Sequence, residues 1–114
     1  MGDIVATEMV QIERLDKIFG QCVQRICEPK VLLKMDTQGY DPKVLEGATD
    51  RSNSIEALQS EISFRQIYDG MPNFEESIRK MAQMGFELSG LFPVQRDEGV
   101  RIVEMDCLMV KSRD

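Results

Sequence analysis

Apolar and polar positions change their period along this chain, and the changes mark out its elements. The stretch Val31–Ala48 reads VLLKMDTQGYDPKVLEGA. It predicts a buried strand (Val31–Met35), a polar turn (Asp36–Tyr40) and a short helix with Asp41 at the N-cap, Pro42 at the first helical position and Gly47 at the end. Upstream, Ile12, Leu15, Phe19, Val23 and Ile26 are spaced as one helical face. Met9–Leu15 also alternates as a strand would, with Val10 and Ile12 on one side and Gln11 and Glu13 on the other. Gly20 costs about 1 kcal/mol inside a helix, and Glu28-Pro29-Lys30 is a clear break. Periodicity alone favours helix through these thirty residues.

Beyond Ala48, Thr49–Ser54 is a polar loop with turn chemistry. Ile55–Phe64 fits either period: Ile55, Leu58 and Ile62 suit a helix, whereas Leu58, Ser60, Ile62 and Phe64 suit a strand covered on one face. Tyr68-Asp69-Gly70-Met71-Pro72 predicts a loop. Asn73 with Glu76 three residues on resembles a capping box, and it opens a helix whose face is Phe74, Ile78, Met81 and Ala82. Gly85 ends that helix. Phe86–Phe92 predicts a strand, followed by Pro93 and a polar tip at Gln95–Gly99. Arg101–Val110 is a final strand expected to be covered on both faces, pairing with its predecessor as an antiparallel hairpin. The alternation of strands and helices makes the fold class α/β.

Composition narrows the function more than the fold. The 114 residues allow one domain with a modest core. A formal charge of −6 leaves no basic footprint for nucleic acid or an anionic membrane. No apolar run approaches a membrane span and no leader opens the chain. The three cysteines (Cys22, Cys27, Cys107) have no framework spacing and are expected as free, partly buried thiols, which suits a cytoplasmic location. The chain has no histidine. That removes the commonest general base and every Ser-His or Cys-His nucleophile pair. It also makes a zinc site unpromising.

The segment Leu32–Ala48, LLKMDTQGYDPKVLEGA, resembles the FkbM-type S-adenosylmethionine-dependent methyltransferases, whose pattern runs approximately hydrophobic-Lys-hydrophobic-Asp-x-(Glu/Gln)-Gly-x-(Glu/Asp) and then Val-Leu-x-Gly-Ala. The likeness continues in order through LQSEISFRQIYDG (Leu58–Gly70), GFELSGLFP (Gly85–Pro93) and RIVEMDCLMV (Arg101–Val110), with VQIERLDKIF (Val10–Phe19) upstream. It implies a class I, Rossmann-like sheet of parallel strands with helical crossovers and a terminal antiparallel hairpin. On it, Val31–Asp36 corresponds to the fourth strand, Ile55–Ile62 to the fifth, Phe86–Phe92 to the sixth and Ile102–Val110 to the seventh. The glycine-rich Asp-x-Gly-x-Asn-x-Gly-like cofactor loop and the acidic ribose ligand of such enzymes have no counterpart in this sequence. The resemblance is therefore to the C-terminal half of the domain: residues 1–114 as a single partial methyltransferase domain, with 1–30 a lead-in and 31–114 the α/β core. It also changes the reading of the lead-in to a short strand followed by a helix near Asp16–Arg25. The fourth strand becomes an open edge, inviting self-association or a complementing chain, unless Val10–Leu15 covers it.

Asp36 is the leading catalytic candidate. A carboxylate where a strand gives way to a loop stands where open α/β sheets place their chemistry. It suits a general base for methyl transfer to a hydroxyl, worth roughly 10²–10⁴-fold, and is attracted to the sulfonium of S-adenosylmethionine. The structural alternative is that Asp36 accepts the backbone N–H groups of residues 38 and 39. Lys34 shares its strand face and either pairs with a carboxylate or snorkels. Gln38 and Gly39 are substrate- or cofactor-binding candidates, with a plain turn as the alternative. Glu61 stands at the crevice edge or is an exposed strand carboxylate. Asp36 with Asp41 or Glu61 is a weak metal signal, so no metal is expected. Phe64 and Tyr68 line an acceptor pocket or belong to the core. The implied activity is O-methyl transfer to a small-molecule or sugar hydroxyl, with the chain inactive alone. The alternative is a non-catalytic α/β interaction or dimerisation module.

Overall fold

A computed structural model describes residues 6–37, 41–65 and 73–113. The elements in chain order are α1 (Leu15–Cys22), β1 (Val31–Met35), α2 (Asp41–Glu46), a 3₁₀ turn (Thr49–Ser54), β2 (Ile55–Ser63), α3 (Phe74–Gln83), β3 (Phe86–Arg96) and β4 (Ile102–Lys111). The four strands form one sheet in the order β1-β2-β4-β3. β1 and β2 are parallel, while β4 runs antiparallel to both β2 and β3.

The ambiguity at Ile55–Phe64 resolves as a strand. Leu58, Ser60 and Ile62 are buried and the intervening Gln59, Glu61 and Ser63 are half-buried. Parallel pairing with β1 and antiparallel pairing with β4 fix that register (Lys34 beside Gln59, Glu61 beside Asp106). Tertiary pairing overrides the competing helical period.

α3 begins as its sequence predicts, with Asn73 Oδ1 accepting the Glu76 N–H at 2.9 Å. Met81 is buried and Phe74 and Ile78 pack against the core, but Ala82, expected on that face, is exposed. Gly85 ends the helix at φ +95°, a conformation that favours glycine.

α1 is shorter than the expected Asp16–Arg25 and carries Gly20 inside it. Its start is tied to the end of α2: the Asp16 N–H donates to the Gly47 carbonyl at 2.7 Å and Arg14 donates to the Glu46 carbonyl at 3.0 Å. The Arg51 guanidinium lies 5.7 Å from the centre of the Phe19 ring. Lys80 donates to Glu46, linking α3 to α2 and holding the Glu46 carboxyl below its ordinary range. Glu28 takes φ +51° at the expected break before Pro29.

Three expectations need correction. Val10–Leu15 does not cover β1. Residues 6–14 form no strand, and Met9 and Ile12 are exposed at 98% and 82%, because Leu15 is taken into α1 and the remaining alternation is too short to hold a pairing. β4 is not covered on both faces. Val103, Met105, Cys107 and Met109 are buried, while Ile102, Glu104, Asp106 and Leu108 are only half-buried. β3 does not stop at Phe92 but continues through Pro93 to Arg96. It is an outer strand with register shifts at Leu88/Gly90 and just beyond Pro93, and an outer strand is where a sheet tolerates proline.

The buried core contains Phe19 from α1, Leu45 from α2 and Met81 from α3, packed on Met35, Leu58, Cys107 and Met109 of the strands. The helices therefore lie on one sheet face. Among the described residues no element covers the other. Cys107 is buried, and Cys22 and Cys27 are free and exposed rather than partly buried. Among the described residues no helix is long and apolar enough to cross a membrane.

Candidate functional site

The site is built where β1 ends. Parallel pairing sets Met35 beside Ser60, so Asp36 and Glu61 leave the same end of the sheet together. β4 brings Asp106 directly opposite Glu61. A cleft of about 140 Å³ opens there, lined by Lys34, Met35, Asp36, Gln59, Glu61, Val94 and Asp106. Three of the residues expected from sequence (Lys34, Asp36 and Glu61) thus share one cavity on the uncovered face. Asp36 is exposed and Glu61 half-buried. Gln38, Gly39 and Tyr68 lie outside the described residues. Phe64 packs on Phe74 with ring centroids 4.5 Å apart, away from the cleft lining.

Gln59, Val94, Asp106 and the adjacent Glu104 are the residues that sequence reasoning missed. The signal was present in RIVEMDCLMV, where Glu104 and Asp106 interrupt an apolar strand at a spacing of two and so share a face. Placing that face against Glu61 required the register.

Electrostatically the cleft is a carboxylate corner. Partial burial, a hydrogen bond with Glu104 and the charges of Glu104, Asp36 and Asp106 push the Glu61 carboxyl up to about 7. Among the described residues no salt bridge reaches Asp36, Glu61, Glu104 or Asp106. The same residues contain no group of three side chains placed to hold a metal ion.

Asp41 plays a different part from its neighbours. It is 5% exposed and turned into the core. Its Oδ1 accepts the Thr37 N–H at 3.1 Å and the Thr37 hydroxyl, and its Oδ2 accepts the Ser60 hydroxyl. This buried carboxylate fastens the residue after Asp36 to β2, so it positions the cleft without lining it. A larger cavity of about 400 Å³ lies between Ile12–Ile18 and α2. Its Glu13 pairs with Lys17 and its Lys43 with Glu46, which leaves little charge there to select a ligand.

The family model for the methyltransferase FkbM domain matches residues 2–88. The match takes in the Val10–Phe19 segment, the Val31–Ala48 core, β2 and α3, and it leaves residues 89–114, including all of β4, outside. It corrects the expected extent: the N-terminal part is matched, not a C-terminal half. No curated protein and no solved structure matches the chain. Three quarters of the chain nonetheless falls within one family description, with the Asp36 strand end inside it, and the chain belongs to the FkbM methyltransferase domain family.

Proposed function

We propose that the cleft is the acceptor side of an S-adenosylmethionine-dependent O-methyltransferase, with a small-molecule or sugar hydroxyl as substrate. The observation that carries this reading is the convergence of Lys34, Asp36 and Glu61 on one cavity at the carboxyl end of β1. That is the crevice position where open α/β sheets bind ligands. The sheet order, with β4 as the one antiparallel strand inserted between β2 and β3, supports a Rossmann-like parentage.

The carboxylate corner suits a cationic sulfonium, so the residues present fit the reactive end of the cofactor. When bound, the cofactor supplies an electrophilic methyl group. Asp36, exposed at the strand end, accepts the proton of the acceptor hydroxyl. Lys34, on the same face, orients an acceptor oxygen. Glu61, protonated below about pH 7, holds a proton next to Asp36 and keeps the corner from carrying its full negative charge. The sequence contains no Asp-x-Gly-x-Asn-x-Gly-like loop to approach the adenosine moiety closely. We therefore infer that the chain alone does not turn over.

The test is amide chemical-shift mapping with S-adenosylmethionine and its demethylated product. Shifts confined to the cleft, larger for the sulfonium and lost in Asp36→Asn, support the reading. Shifts elsewhere, or equal for both compounds, refute it. A second reading, an α/β interaction module, is favoured by one observation: among the described residues the outer edge of β1 pairs with no strand.

A further inference from the structure

The two outer strands of the sheet are guarded differently. β3 carries Pro93 and three register shifts, devices that keep a sheet edge from pairing further. β1 carries no proline and runs in unbroken register with β2 from Leu32 to Met35. Among the described residues its outer edge pairs with no strand. Val31 and Leu33, which pack towards the helices, are only half-buried at this edge. From Lys30 to Met35 the edge holds two lysines, Lys30 and Lys34, and no carboxylate.

The same chain carries a strand-like arm with nothing to pair with. Residues 6–14 have no regular structure, yet Gln11 Nε2 donates to Glu13 Oε1 at 3.0 Å. That puts side chains two residues apart on one side, the period of extended backbone, and Arg14 continues it at φ −70°, ψ 144°. Val10 and Ile12, on the other side by the same period, are exposed at 69% and 82%. Before Arg14 the only charges of the arm are Glu8 and Glu13, so it is acidic where the edge is basic. Its root is fastened to the end of α2, through Asp16 N–H on the Gly47 carbonyl and Arg14 on the Glu46 carbonyl. Held there, it does not pair with β1 of its own chain.

We propose that two copies of the chain exchange these arms, residues 9–13 of each adding antiparallel to the free edge of β1 in the other. With Val10 beside Leu33 and Ile12 beside Val31, apolar side chains close the half-buried side of the edge. Gln11 then lies beside Leu32 and Glu13 beside Lys30, and the Asp36–Glu61 cleft stays open. Glu13 gives up only its exposed contact with Lys17, 3.2 Å long, and such pairs contribute little. Reciprocal exchange makes a two-fold, self-complementary interface that leaves no β1 edge for a third copy. The charge of −6 on each copy opposes association, so the pair depends on this local match. The proposal supplies the partner for the interaction-module reading and is independent of methyl transfer.

Sedimentation equilibrium of the full chain, without cofactor, is expected to show a monomer–dimer equilibrium. Gln11→Pro removes an arm N–H and Val10→Glu/Ile12→Glu removes the apolar pair. All three positions are exposed and outside the core, and each variant should weaken dimerisation at least about tenfold. Glu13→Lys and Lys30→Glu should each weaken it severalfold, and a chain carrying both should recover the parent's association, which a merely adhesive arm would not show. A monomer at every concentration, a dimer that the arm variants leave unchanged, or no recovery in the charge-exchanged chain would overturn the proposal.

Discussion

Replacing Asp41 by alanine withdraws one buried carboxylate from three donors: the Thr37 N–H, the Thr37 hydroxyl and the Ser60 hydroxyl. Thr37 is exposed and regains water, but Ser60 is 1% exposed and does not. A hydrogen bond to a charged group is worth about 1.5–3 kcal/mol, and a stranded buried hydroxyl costs about 1–3 kcal/mol. Together they place the loss at about 3 kcal/mol. With a urea slope of about 1.5 kcal/mol per molar, the unfolding midpoint followed by circular dichroism should fall by about 2 M. Ser60→Ala removes the hydroxyl together with its one bond to the buried Asp41 carboxylate and should cost about 1.5–3 kcal/mol, the worth of one hydrogen bond to a charged group. The double variant should therefore be less destabilised than the sum of the singles, by about 1.5–3 kcal/mol, since both singles lose that same bond. A midpoint for Asp41→Ala close to that of the parent, or strict additivity, would show that this carboxylate does not fasten the Asp36 strand end to β2.

Other outcomes follow from the same contacts. The folded Glu61 carboxyl lies near 7, above its ordinary 4.5, so the folded state binds the extra proton between those values. Stability is greatest below about 4.5 from this group and declines as pH rises through 7. Discounted for solvent screening the change is about 1 kcal/mol; thermal melts should show the decline, and Glu61→Gln should flatten it, in a chain where no histidine titrates in that window. Burial pushes the Cys107 thiol up to about 11, so a thiol reagent at pH 8 should modify Cys22 and Cys27 in the folded protein and reach Cys107 only after unfolding. Gly85→Ala should lower the melting temperature by several degrees, about 1–2 kcal/mol of backbone strain. A Cβ there meets nothing within 4 Å, so an unchanged melt would show that φ is not fixed at this turn.

Legibility in the sequence followed the range of the interaction. α3 was readable because its cap is local: Asn73 and Glu76 are three residues apart and bond as their chemistry requires. Gly85 was readable for the same reason. β2 was readable only through the family resemblance, since Ile55, Leu58 and Ile62 satisfy both periods until β1 and β4 impose one. The sequence predicts a strand end at Pro93 because nothing local tells an outer strand from an inner one, and β3 is outer. Within the site, Asp36 and Lys34 came from a contiguous motif and Glu61 from the family resemblance. Glu104 and Asp106 needed an antiparallel register across more than 40 residues of sequence. The sequence predicts Asp41 as a helix cap, whereas its carboxylate accepts from Ser60 of β2, a partner 19 residues away. The family match takes in residues 2–88 and stops inside β3, so it covers the N-terminal part of the domain rather than a C-terminal half and does not reach Arg101–Val110.

Under the proposed function, this FkbM-family chain carries an acceptor-side carboxylate corner but no Asp-x-Gly-x-Asn-x-Gly-like loop for the cofactor's adenosine. Titration calorimetry of S-adenosylmethionine and of its demethylated product tests it most directly, with mass read by light scattering on the same sample. The account predicts a folded protein that gives no stoichiometric heat, with any affinity weaker than ~1 mM, about −4 kcal/mol. Micromolar, one-to-one binding that disappears in Asp36→Ala would contradict it and show that these residues form a complete cofactor site.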